Sequence, residues 1–162
     1  MPQTKPEWEE LPEFIAIARK IKGKYAKFDE LDVDMIGAYV CINKDLPPKK
    51  DLCYEIQTSK EPLAFTNNKS WGVLVWRDDW DERDDAAKAA LVHSAMMQMN
   101  PEEPGKLFSC DYKDQKEMVA AFGPFWSKKR DGLANLLEVD IERTIEENLP
   151  PEELTEDGET KQ

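Results

Sequence analysis

The stretch AALVHSAMMQM, residues 89–99, holds the chain's only histidine, His93. A zinc-hydrolase helix places two histidines one turn apart, with a glutamate directly after the first to take a proton from bound water. Here Ser94 follows His93, and Met97 stands one turn further on. A serine hydroxyl ionises far from neutrality and cannot serve as that base. A thioether is a soft ligand, better suited to Cu(I) than to zinc. Downstream, Cys110 could offer a thiolate. His93 and Cys110 together would still hold zinc weakly, since a catalytic site takes about three protein ligands plus an open water position. A Cys110–His93 nucleophile–base pair is conceivable, but nothing nearby supplies an oxyanion hole. The ordinary reading is a hydrogen-bonded structural histidine, with Met96, Met97 and Met99 as core filler and Cys110 as a small buried side chain.

Other chemistries are poorly served. The chain has no glycine-rich phosphate loop and no C-x-x-C pair. A calcium loop needs alternate-residue ligands and a glycine turn, and RDDWDERDD lacks the glycine. Three cysteines (Cys41, Cys53, Cys110) at wide spacing make no disulfide framework and suit a reducing compartment. No cofactor is implied.

Charge is the dominant compositional signal. Charged residues make up 35% of the chain and the net charge is −12, beside an apolar fraction of 40%. Such a chain should repel nucleic-acid phosphates and anionic membranes, so its expected partners are proteins with basic surfaces or grooves. MPQTKPEWEELPE contains no apolar signal core, and no run of eighteen apolar residues occurs. The expectation is a soluble protein of the cytoplasm.

The elements that must position these groups can be read from periodicity. Phe14, Ala18, Ile21 and Tyr25 predict a first amphipathic helix. DMIGAYVCIN alternates as a strand, with Ile36, Ala38, Val40 and Ile42 on one side. LCYEIQT is a weaker strand with Leu52, Tyr54 and Ile56 inward, and DLPPKKD between the two must be a loop. SWGVLVW is apolar on both faces and reads as the central strand. Asp81, Asp84 or Asp85 can cap a helix from about Ala86 to Met99, whose stripe is Ala89, Val92, Met96 and Met99. A helix capped by Asp111 carries Met118, Val119 and Phe122 and ends at Gly123–Pro124. Leu133, Leu137, Ile141 and Ile145 predict a last helix over about 127–148. The expected class is α+β: a three-stranded or slightly larger sheet with about four helices in one domain over 1–149. An acidic, disordered tail over 150–162 is expected to follow.

The order WGVLVWRDDW, AALVH, CDYKDQKEMVAAFGPFW resembles the metallopeptidases encoded by bacteriophages and prophages. There, an apolar strand and an acidic tryptophan-containing stretch precede an H-E-L-x-H helix, followed by an H-D segment and a helix ending in an aromatic–glycine pair. The resemblance covers about residues 14–126 and implies a zincin-like core. It places His93 at the first helix ligand, Ser94 at the general base, Met97 at the second histidine and Cys110 at the downstream histidine. Asp111 and Phe122–Gly123 keep the family's pattern. The implied metal site is degenerate and the implied protein a peptidase fold without peptidase chemistry.

Three functions compete on this reading. The favoured one is a non-catalytic phage-type protein in the host cytoplasm, binding and inhibiting a defence or nucleic-acid-processing factor, possibly by nucleic-acid mimicry and without binding nucleic acid itself. Its partner-binding residues would be Asp78, Asp79, Asp81, Glu82, Asp84 and Asp85, together with Glu138, Glu142 and Glu146. The last three fall at four-residue steps and would share one helix face. The second is a hydrolase using His93 and Cys110. The third is an assembly or accessory protein docking through Trp8, Trp80 or Trp126.

Overall fold

Two six-residue strands, Ile36–Cys41 (β2) and Trp71–Trp76 (β4), lie side by side in parallel at the middle of the sheet, in register from Ile36↔Trp71 to Cys41↔Trp76. The computed structural model describes residues 6–43, 54–58, 69–103, 106–108 and 112–149. Trp8–Glu10 (β1) adds antiparallel to β2 and Glu55–Thr58 (β3) antiparallel to β4, giving the order β1-β2-β4-β3. The protein is therefore α+β with a mixed sheet. Ile36, Ala38, Val40, Trp71, Val73 and Val75 are buried on a common face. On the opposite face Gly72 and Leu74 are only half-buried while Trp76 is buried, so that side of β4 is covered only in part.

Helix Pro12–Lys24 (α1) starts with proline at its first position, where no amide donor is lost. It buries Phe14, Ala18 and Ile21, and Tyr25 follows as its buried cap. Helix Asp85–Gln98 (α3) occupies the centre of the molecule. Asp84 caps it by accepting from the Ala87 amide at 2.9 Å. From Ala86 to Met96 every residue except Lys88 is buried. The predicted stripe is thus only part of what it buries. Its alanines keep it slim enough for elements to close on all sides.

Helix Tyr112–Phe122 (α4) ends at Gly123, whose φ of +91° only glycine adopts without strain. Met118 and Phe122 are buried, but Val119, expected among them, is exposed. Two further features matter. The acidic run forms a helix, Arg77–Glu82 (α2), continuing from β4. The long last helix is not present: a 3-10 turn at Trp126–Lys128 gives way to irregular chain, and only Ile141–Asn148 (α5) is helical, capped by Asp140. Gly132 sits at φ +80°, and the Asn135 side chain accepts from the Leu137 amide. From α1, Lys24 Nζ donates to the carbonyls of Leu136 and Val139, while Tyr25 Oη lies 2.6 Å from the first of these and accepts from the Ile141 amide. Those bonds satisfy backbone groups that a helix would otherwise use. Leu133 and Leu136 are buried by this clamp rather than by helical periodicity.

The loop at DLPPKKD, Leu52, Cys53, Cys110, Asp111 and the tail from 150 lie outside the described residues. Among the described residues, no helix is long and apolar enough to cross a membrane.

Candidate functional site

His93 sits at mid-length in α3 with no exposed surface. Three rings approach its imidazole nearly perpendicularly, one each from the end of α1, the turn after it and the end of α4. Their centroids are at 6.2 Å (Tyr25), 5.5 Å (Phe28) and 6.5 Å (Phe122). Among the described residues, neither Nδ1 nor Nε2 has a hydrogen-bond partner. The hydrogen-bonded structural histidine expected from sequence is therefore not what the fold builds. The imidazole is packed as one more aromatic ring, its N–H left with nothing better than ring faces. Burial, aided by the charge of Lys27, holds its pKa well below the ordinary 6.5, so it is neutral at neutral pH.

Ser94 is directed elsewhere. Its hydroxyl lies 2.8 Å from Tyr54 Oη, which also accepts from Gln98 Nε2. These bonds tie α3 to the residue just before β3. Met97 is half-buried against the core. The position of Cys110 relative to His93 lies outside the described residues. A catalytic zinc does not fit the residues that are described. An open coordination position needs solvent or substrate access, and His93 has none. Its neighbours are ring faces rather than donors, and no three His, Cys, Asp or Glu side chains come together among the described residues.

The acidic segment resolves into two kinds of carboxylate. Asp79 is mostly buried and accepts from Arg83 Nε at 2.9 Å and from Arg130 Nη2 at 2.8 Å. Glu82 pairs with Arg130 Nη1 at 2.9 Å, and Asp84 is spent on the α3 cap. Arg83 is only 3% exposed and also donates to the Ser127 carbonyl, while the Asp84 amide donates to the Arg130 carbonyl. Those bonds stitch residues 79–84 to residues 127–130. The hydrogen bond Arg130 donates to Asp79 raises the Arg130 pKa above its ordinary value. Asp79, Glu82 and Asp84, expected as partner-binding groups, thus each make a bond within the fold. Asp78, Asp81 and Asp85 are exposed, and among the described residues no cation pairs with them.

The second acidic group changes as well. Glu138 precedes α5 and accepts from Asn135 Nδ2 at 3.3 Å, so it shares no helix face with Glu142 and Glu146. Glu142 is half-buried and pairs with Lys27 at 2.6 Å; Glu146 is exposed. Of the three tryptophans expected to dock, Trp80 is 1% exposed and donates to Glu13 Oε1 at 2.8 Å beside Phe14. Trp126 is half-buried near Phe122, and Trp8 alone is exposed, edge-on to Trp76.

Sequence reasoning overlooked Phe125. It is 75% exposed and sits at φ +60°, a left-handed conformation unusual for an aromatic residue. The Gly-Pro before it signals a turn but not the exposure. Comparison with protein-family models, curated proteins and solved structures found no match.

Proposed function

We propose that this chain is a non-catalytic binding protein of the phage or prophage type. It engages a basic surface on a bacterial defence or nucleic-acid-processing protein through Asp78, Asp81 and Asp85 and inhibits that protein by occupying the surface. The observation that carries the reading is the rigid setting of three exposed, unpaired carboxylates. The Asp79–Arg83–Arg130 fork and the Asp84 cap fix the backbone on which they stand. Like charges so spaced repel one another in the free protein, and a cationic partner relieves that repulsion. Their arrangement is compatible with carboxylates taking the place of phosphates, the chemistry a nucleic-acid-binding groove is built to receive.

Hydrolysis at His93 and Cys110 is the weaker reading. A buried imidazole enclosed by three rings can reach neither substrate nor water without unpacking the core. To test the proposal, the immobilised chain is used to capture proteins from bacterial lysate, beside a variant carrying Asp78→Asn, Asp81→Asn and Asp85→Asn and beside His93→Leu. The expected result is a basic protein retained by the parent and by His93→Leu, released by salt and lost with the triple variant. Retention that depends on His93 and ignores the three aspartates would overturn it.

A further inference from the structure

β1 covers only part of the β2 edge. It pairs from Trp8↔Cys41 to Glu10↔Tyr39, and the chain then turns into α1 at Pro12. Ile42 N donates to the Glu7 carbonyl and Leu11 N to the Ala38 carbonyl, so the even-numbered residues of β2 turn their backbone groups to this edge. Beyond Leu11 the edge is open. The Ile36 N–H is taken by the Val33 carbonyl, but the Ile36 carbonyl and the Ala38 N–H have no partner among the described residues. Both belong to residues that line a cleft of about 390 Å³ between the strand and the side of α1, within the size range of ligand sites. Pro12, Ile15 and Ala16 form its apolar wall, and Arg19 and Lys69 line it as well. Arg19 donates to the Asp34 carboxylate at 2.5 Å and Lys69 to the Asp34 carbonyl at 2.8 Å, which puts both cations at the end beyond Ile36. Two cations against one carboxylate leave that end net positive.

An open acceptor and an open donor two residues apart on one edge suit an added antiparallel strand, which donates opposite Ile36 and accepts opposite Ala38. A strand laid here in the direction of β1 runs toward Arg19 and Lys69, so its C-terminal end meets the cations. We propose that this cleft binds the C-terminus of a partner protein as a short extra strand. The N–H of the partner's last residue donates to the Ile36 carbonyl, and the carbonyl two residues earlier accepts from the Ala38 N–H. The terminal carboxylate lies against Arg19 and Lys69. Arg19 can receive it without leaving Asp34, since a guanidinium carries five N–H donors. Side chains alternate along a strand, so the last and third-from-last point to the side of Ile36 and Ala38, against the apolar wall of α1. Apolar residues fit there. The residue between them faces the other way, beside the Tyr39 ring, which lies so close over Gly37 that an added Cβ would meet its Oη at 2.8 Å. The cleft lies toward the Ile36–Trp71 end of the sheet, whereas α2 and its aspartates follow from Trp76 at the other end.

Fluorescence anisotropy with synthetic peptides and the full chain tests it. The probe is a dye-labelled pentapeptide ending in valine-alanine-valine with a free carboxylate. It is expected to bind, and the same peptide with a C-terminal amide to bind at least ten-fold more weakly. Replacing the last peptide N–H by an ester oxygen removes the donor to Ile36 and should weaken binding several-fold without any change to the protein. In the protein, Arg19→Gln with Lys69→Gln should bring the affinity for the acid down to that for the amide and leave the amide's affinity unchanged. Ala16→Trp fills the cleft from an exposed position on α1 and should abolish binding while the melting temperature stays within a few degrees of the parent. Failure of the acid to bind at millimolar concentration, equal affinity for acid and amide, or full binding by Ala16→Trp would overturn the proposal. None of these outcomes bears on capture through Asp78, Asp81 and Asp85.

Discussion

Around His93, three aromatic rings close on an imidazole with no polar partner among the described residues; at the seam between α2 and residues 127–130, the Arg83 guanidinium meets Asp79 and the Ser127 carbonyl, with only its Nη1 left without a partner. Both sites bury a titratable side chain at a junction of distant segments. In the cage the group is kept neutral and treated as apolar surface. At the seam, Asp79 and the Ser127 carbonyl are positioned to receive the buried guanidinium of Arg83. The first arrangement removes the residue best suited to chemistry from contact with solvent. The second holds Asp78, Asp81 and Asp85 out into solvent from a rigid base. The proposed function rests on the seam rather than on the cage.

The contrast can be broken by mutation, and the largest effect lies in the cage. Phe28→Ala or Phe122→Ala leaves a cavity beside His93 and should cost about 3–5 kcal/mol in urea unfolding. Asp79→Ala strands the guanidinium of Arg83 in the interior and is expected to cost about 3 kcal/mol. Asp78→Ala, one residue away and exposed, should stay within about 0.5 kcal/mol of the parent. Equal costs for the two aspartates would show that the fork does not hold the seam.

A subtler test uses pH. The folded pKa of His93 is depressed, so below about pH 6.5 the unfolded chain binds a proton that the folded chain does not. Stability is therefore complete above that pH and falls as pH drops, by up to about 1.4 kcal/mol per unit. Glu13 and Asp34 have lowered values too, but their contributions fade only below the ordinary carboxylate range. As the chain has a single histidine, the slope between pH 6.5 and 5 reports His93. In His93→Leu that slope should vanish. Because two unsatisfied nitrogens are removed, stability at pH 7 should be within about 1 kcal/mol of the parent or above it. A marked loss at pH 7 would mean the imidazole makes a polar contact after all.

What could be read from sequence was whatever depends on neighbours along the chain. The alternation of Ile36, Ala38 and Val40, the Asp84 cap and the stop at Gly123 are local signals, and the fold uses each of them. β1 has three exposed residues and exists because β2 offers it an edge, so no pattern announces it. The last helix was overestimated because Leu133, Leu137 and Ile141 have helical spacing. Tyr25 and Lys24, more than a hundred residues earlier, claim the carbonyls instead. Trp80 looked available for docking amid aspartates, yet its helical turn faces Glu13 and Phe14. The candidate site was legible as composition, six acids in nine residues, but not as roles. Which acids are spent internally depends on Arg130, remote in sequence.

The central claim, that Asp78, Asp81 and Asp85 act on a basic partner, is tested most directly by association kinetics with the protein captured from lysate. Rates are measured from low to high ionic strength for the parent and for the Asp78→Asn, Asp81→Asn, Asp85→Asn variant. Steering predicts a parent rate roughly ten-fold or more higher at low salt, converging on the variant's rate as screening sets in, while the variant's rate changes little. A parent rate indifferent both to salt and to removal of the three carboxylates would contradict it.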